Sequence, residues 1–301
     1  MSLSSETDMQ ISIAMSVLYG LLALTSLSVR LAARRTTSGM LSRQVNAWWR
    51  IFPVVSLALL TYPLGLLLLA YLVCLLAICE LAPLDQGSQA VIWSGCLAII
   101  AAVSLVGWHM PAIFPVVLLG VILAQACRFL HSSDIRALIW LLMLITAGAM
   151  AMLPAFSRLS LAPEIKLAWL FYLFTITALN DIAQFIAGKL LGRHKIAPII
   201  SPNKTWQGLA GGLVATQLTS QVIGRYLALG SPLALLLLAV LLSLGGFLGD
   251  LLFSAAKRHM AIKDFSQLIP GHGGILDRID SLVVTAPLLY CLLSTSHKDL
   301  L

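Results

Sequence analysis

The chain has 301 residues, of which 59% are hydrophobic and only 10% charged, and its mean hydropathy is +0.96. Apolar runs of roughly 20 residues, the length a helix needs to cross a bilayer, recur along it, which excludes a soluble globule. A net charge of +7 could suggest nucleic acid, but the 19 Lys and Arg residues are distributed as topology signals, so no nucleic-acid partner is expected.

The expected fold is all-α, a polytopic transmembrane bundle of about 10 spans (9 or 10), read at residues 10–29, 51–65, 66–82, 89–107, 111–127, 137–154, 163–187, 206–224, 232–256 and 279–296. The second and third share one apolar stretch broken only by Tyr62, Pro63 and Gly65, and form either a tight helical hairpin or one long bent span. Ten crossings place 15 of the 19 basic residues on one side and leave Arg158, Lys166, Arg225 and Lys298 on the other. The richer side is read as cytoplasmic, with both termini non-cytoplasmic. The first apolar run ends in RLAARR rather than at a small-residue cleavage site, so it is expected to stay as an anchor. Five cysteines (Cys74, Cys79, Cys96, Cys127, Cys291) show no ligand spacing and read as small buried hydrophobes.

Residues 1–160 have almost no ionisable group inside their spans and are expected to act as a scaffold, with 161–301 as the catalytic region. Glu80, at the end of the third span, is the exception, either a solvated helix end or an acid lining the active cavity. Three polar stretches of the second region fall on the cytoplasmic face and can meet there. They are Asn180–Gln184, Gly188–Gln207, and Ser254–Asp280 preceded by Asp250.

The third stretch carries the densest chemistry. Asp250, Ser254 and Lys257 recur at i, i+4 and i+7, one helix face able to hold a metal and a phosphate side by side. Asp277 and Asp280 repeat the pattern at i, i+3, with Arg278 on another face. Hard oxygen ligands of this kind select Mg²⁺, which takes one or two carboxylates and completes its shell with water and substrate phosphates. Between the acids lies Pro270-Gly271-His272-Gly273-Gly274, a turn whose glycines permit positive φ and whose amides can form an anion nest. His272 either orients a phosphate oxygen or caps the turn, and His259 is expected to face solvent. In the second stretch, Ser201 reads as a helix N-cap with Pro202 at N1, an anion site to which Lys204 and Thr205 add a cation and a hydroxyl. An ordinary cap with a snorkelling lysine is the plainer alternative. Trp206 fits an interfacial belt.

At these residues the chain resembles the integral-membrane CDP-diacylglycerol synthases, or phosphatidate cytidylyltransferases. The carboxy-terminal signature runs through Ser254, Lys257, Arg258, Lys263, Asp264, Ser266, Pro270, His272, Gly273, Gly274, Asp277, Arg278 and Asp280 with unchanged spacing; Ala256 stands where the family prefers a larger apolar residue. Upstream, Asp181, Gly188, Lys189, Gly192, Pro198, Ser201, Pro202, Lys204, Thr205, Trp206 and Gly208 are similar to the family's second motif. Many members read Asp-Ser or Asp-Thr followed by Ala-Tyr, where this chain has Asp181-Ile182-Ala183-Gln184-Phe185.

The resemblance implies transfer of a cytidylyl group from CTP to phosphatidic acid on the cytoplasmic face of a bacterial inner membrane. It also implies a metal centre built from aspartates, Asp250 and Asp277 first, then Asp280 and Asp181. A Mg²⁺ ion, joined in one version by a second cation, is the expected cofactor. Lys257, Arg258, Lys263 and Arg278 would balance phosphate charge, with Asp264 and His272 beside them. Lys189, Ser201, Lys204, Thr205, Gly273, Gly274 and Asp181 would hold substrate, and a homodimer is a candidate assembly. The competing expectations are a CTP-dependent polyprenol or phytol kinase, a cytidylyltransferase for another lipid phosphate, an anion transporter and an inactive paralogue.

Overall fold

The computed structural model describes residues 3–33, 39–268 and 273–295. Its helices are α1 (Leu3–Ala33), α2 (Gly39–Leu60), α3 (Leu64–Leu81), α4 (Gln89–His109), α5 (Phe114–Ser132), α6 (Ile135–Ala155), α7 (Pro163–Leu191), α8 (Trp206–Tyr226), α9 (Pro232–His259), α10 (Leu276–Ile279) and α11 (Leu282–Thr295). Each of the ten longer ones overlaps its expected span, but α2 begins twelve residues before the second (51–65) and ends five residues short of its end. Among the described residues, seven helices are long and apolar enough to cross a membrane, and Ala47–Leu60 and Leu282–Thr295 are shorter apolar segments. Helix α8 is interrupted by Gln207, Gln217, Gln221 and Arg225. The chain is an all-α integral membrane protein. Its second and third spans are two separate helices, parted at Thr61–Pro63.

Helix α6 lies at the centre. Fourteen of its 21 residues are buried, from Ala137 to Leu153, and it packs against α3, α4, α5 and α11. Its continuous apolar run has no polar face because neighbouring helices surround it. The outward leucines and valines, such as Val116, Leu130, Val214, Leu218 and Val222, remain exposed, as a lipid solvent requires.

The tightest pairing is α7 on α8, and small residues make it. A Cβ at Gly211 would collide with the Ala187 methyl, and one at Gly212 with the Gln184 stem, so the two backbones approach as close as glycine allows. Polar ties cross this carboxy-terminal bundle. Asn180 Oδ1 accepts from Thr216 (3.1 Å) and Ser243 (2.7 Å), and the Thr177 and Thr285 hydroxyls meet at 3.1 Å. Each satisfies a group that lipid could not. These bonds fix α7, α8, α9 and α11 relative to one another just below the polar ends of α7 and α9.

Between α7 and α8 the chain forms an antiparallel hairpin of β1 (Lys195–Ala197) and β2 (Ser201–Thr205). This corrects the expectation that Ser201 caps a helix. The proline after it favours extended backbone at Ser201, and pairing of Ala197 with Ser201 and of Lys195 with Thr205 completes a strand. The cap is Thr205, extended at φ −129 and ψ 154, whose Oγ1 accepts from Gly208 N at 3.0 Å. Its hydroxyl oxygen therefore serves α8.

Candidate active site

Four elements bring polar side chains to one place. From α9, Asp250 and Ser254 share a face as their spacing requires, with Ser254 Oγ donating to Asp250 Oδ1 at 3.3 Å. From β2, Lys204 Nζ forms an ion pair with Asp250 Oδ2 at 2.6 Å and donates to Gln184 Oε1 of α7 at 3.1 Å. Asp181, also on α7, accepts from Ser281 Oγ at 3.0 Å, and the Ser281 amide donates to Asp280 Oδ1 at 2.9 Å. Ser281 thus ties α7 to the junction of α10 and α11. The carboxylates of Asp181, Asp250 and Asp280 interact electrostatically with one another, against Lys204, Arg278 and Lys257. Like charges that repel one another at helix ends near a membrane edge need a cationic partner.

Lys257 lies on the same stripe as Asp250 but turns to a different partner. Its Nζ meets Asp277 Oδ1 at 2.6 Å, with side chains only 11% and 4% exposed. Asp277 Oδ2 accepts from Phe265 N (3.1 Å) and Gly274 N (2.9 Å), so both of its oxygens are engaged.

The glycine pair has two distinct reasons to be glycine. Gly273 has φ +79, in the left-handed region, and a Cβ there would lie 2.6 Å from Asp277 Oδ2. A Cβ at Gly274 would collide with the Glu80 carboxylate. Glu80 is only 5% exposed and accepts from Ser266 Oγ (2.7 Å), Ile275 N (2.6 Å) and Leu276 N (3.0 Å). The solvated-end expectation for it fails. The amide of Gly274, expected as part of an anion nest, donates instead to Asp277, and the amides of Ile275 and Leu276 that follow donate to Glu80. His272, Pro270 and Gly271 lie outside the described residues.

The remaining expected residues sit around this centre. Arg258 is exposed and donates to Ile200 O (3.2 Å) and Ile262 O (3.3 Å), clasping the hairpin turn to the end of α9. Lys263 and Asp264 are exposed in the following loop, and Lys189 is exposed with its Nζ 5.9 Å from the Phe185 ring centroid. Ser201 is half-buried on β2. His259 is exposed, as expected, and also meets Ser133 O at 3.2 Å.

Among the described residues, no three His, Cys, Asp or Glu side chains gather as one metal-ligand group, so Asp250, Asp277 and Asp280 do not form a closed three-carboxylate site. The donor chemistry still fits Mg²⁺, which needs only one or two carboxylates beside substrate oxygens. Asp181 Oδ2 and Asp280 Oδ2 have no protein donor among the described residues; both carboxylates interact electrostatically with Asp250, and that of Asp181 also with Lys204. Sequence reasoning missed Ser281, and it placed Gln184 in the Asn180–Gln184 polar stretch without giving it a role in this centre. The signals were a hydroxyl directly after the DRID acids and an amide four residues after Asn180, one helical turn along. Gln184 is 5% exposed, and its Nε2 is buried without a hydrogen-bond partner.

A cytidylyltransferase family model matches residues 42–296. A protein described as uncharacterised, YnbB of Escherichia coli (strain K12), is 46% identical over 119 residues, covering 40% of each chain. A phosphatidate cytidylyltransferase of Staphylococcus epidermidis is 44% identical over 128 residues, 42% of this chain and 49% of that one. One from Staphylococcus aureus (strain COL) is 42% identical over 131 residues, 43% of this chain and 50% of that one. This chain spans about half the length, or less, of the curated relatives it matches.

Proposed function

This chain belongs to the cytidylyltransferase family, and from that premise we propose that it transfers a cytidylyl group from CTP to phosphatidic acid, giving CDP-diacylglycerol and pyrophosphate. The observation that carries the reading is the Lys204–Asp250 ion pair at the ends of α7 and α9, with Asp181 and Asp280 tied together through Ser281 and within its electrostatic reach, beside the buried Lys257–Asp277 pair. In the reaction, a phosphate oxygen of the lipid forms a bond to the α-phosphorus of CTP as the bond from that phosphorus to the pyrophosphate oxygen breaks. Attacker and leaving group are both already anionic, so the site needs alignment and charge balance rather than a strong base.

Lys204 and Arg278 present cations to the phosphates, and the Asp250 ion pair holds the Lys204 ammonium in one place. Ser281 fixes Asp181, and through its amide Asp280, leaving one oxygen of each acid open. Asp250 with Asp280 or Asp181 would hold Mg²⁺, which when bound would supply charge neutralisation between phosphate oxygens. Ser254 buttresses Asp250 from one turn along the helix. Lipid tails can remain in the bilayer while the nucleotide arrives from the basic side; the charge distribution supports a cytoplasmic assignment for that side, here of a bacterial inner membrane.

The test is to incubate the detergent-solubilised protein with phosphatidic acid, Mg²⁺ and CTP labelled on the α-phosphate. Label entering the lipid phase, lost on chelation and regained with Mg²⁺, is the expected result. Label that stays in water as CDP would replace this reading with a lipid kinase.

A further inference from the structure

We propose that Glu80 is a positioning residue of the site: a carboxylate from the amino-terminal helices that sets where α10 and its acids stand. The inference rests on the cytidylyl-transfer reading for its link to turnover. Glu80 sits in the last turn of α3, yet its three donors come from the other end of the chain, Ser266 Oγ and the amides of Ile275 and Leu276. Asp277 makes the complementary closure within the loop, taking the amides of Phe265 and Gly274. Residues 265–266 and 274–276 are therefore pinned side by side between two carboxylates, one local and one remote.

The remote one is needed because α10 is a single turn of four residues, Leu276–Ile279, and a helix that short does not hold its own orientation in water. Its first amides have no intrahelical partner, and Glu80 accepts one of them along with the amide just before it. Fixing the start of α10 fixes the direction in which Asp277, Arg278 and Asp280 leave it. Those are the groups that face Lys257, Asp181 and Asp250 from α9 and α7. A buried acid at a membrane edge is costly unless its lone pairs are filled, and three donors fill them here. Gly274 is the other half of the device, since any Cβ there would displace the Glu80 carboxylate.

The plain alternative is a satisfied acid that only adds stability. Glu80→Gln and Ser266→Ala separate the two, read by hydrogen exchange and by cytidylyl transfer on the full chain in detergent. In Glu80→Gln an amide group faces three donors, so the amides of Ile275 and Leu276 should exchange at least about tenfold faster while those of α6 and α9 keep their protection. Turnover should fall in kcat, by about 100-fold for a displacement of this kind, with KM for CTP changed less than about threefold. Ser266→Ala should cost roughly tenfold alone and little further in the Glu80→Gln background. Unchanged exchange at 275 and 276 overturns the proposal, and so does faster exchange spread evenly through α6 and α9. The exchange pattern decides by itself if the wild-type protein moves no cytidylyl group, an outcome that would refute the proposed reaction instead.

Discussion

Asp277→Asn is expected to destabilise the protein as well as inactivate it. The Asp277 carboxylate lies between an ammonium and two backbone amides, at 2.6 Å from Lys257 Nζ, 3.1 Å from Phe265 N and 2.9 Å from Gly274 N. An asparagine in that position must turn its NH₂ either toward the Lys257 ammonium or toward the two N–H groups, so a donor faces a donor in both rotamers. Removing one partner of a buried pair costs about 3–5 kcal/mol, because the other charge is left without compensation. Lys257 keeps 11% of its side chain exposed, which favours the lower end, about 3 kcal/mol. At roughly 2–4 °C per kcal/mol, the midpoint of thermal unfolding in detergent should drop by about 6–12 °C. Lys257→Met in the same protein removes the stranded cation and should recover at least half of that loss, with turnover still absent. A midpoint within about 2 °C of wild type for Asp277→Asn, or a double variant as unstable as the two losses added, would refute this account of the pair.

Lys204→Met removes both the Asp250 ion pair and the hydrogen bond to Gln184; kcat/KM for CTP should fall by about 10²–10³-fold, measured by label transfer at saturating lipid. Thr205→Ala should cost about 1 kcal/mol through the lost α8 cap, visible as a lower unfolding midpoint that Thr205→Ser restores. Gly211→Val forces a side chain into the Ala187 methyl and should destabilise by about 1–3 kcal/mol, whereas the same change at lipid-facing Gly120, where a Cβ meets nothing, should not.

The helices were legible because hydropathy is a local property: a run such as Leu64–Leu81 has few alternatives, and Tyr62-Pro63 marks its start. The stripe of Asp250 and Ser254 was legible for the same reason, since helical period fixes which residues share a face. Period does not choose partners. Lys257 shares that face and still pairs with Asp277, twenty residues on, because α10 packs beside α9. The segment from Ser201 to Thr205 offered two hydroxyls and one proline, and the proline directly after Ser201 pointed to a helix start there. Strand pairing across Pro198–Ile200 decided for Thr205, a contact that no local rule weighs. Glu80 was the least legible. Its donors lie 186 to 196 residues away, and nothing in the sequence around it announces them.

Helices α7 and α9 both begin with proline at the first turn, Pro163 and Pro232, and each carries its acid eighteen residues later, at Asp181 and Asp250. At 1.5 Å per residue that is about 27 Å of helix, against a hydrocarbon core of about 30 Å. Two parallel spans thus work as matched rulers. They start together and carry both carboxylates the same distance, close to the opposite edge of a hydrocarbon core. Bilayer thickness then becomes a variable for this site, because a thicker hydrocarbon core would draw both acids together deeper beneath the headgroup plane.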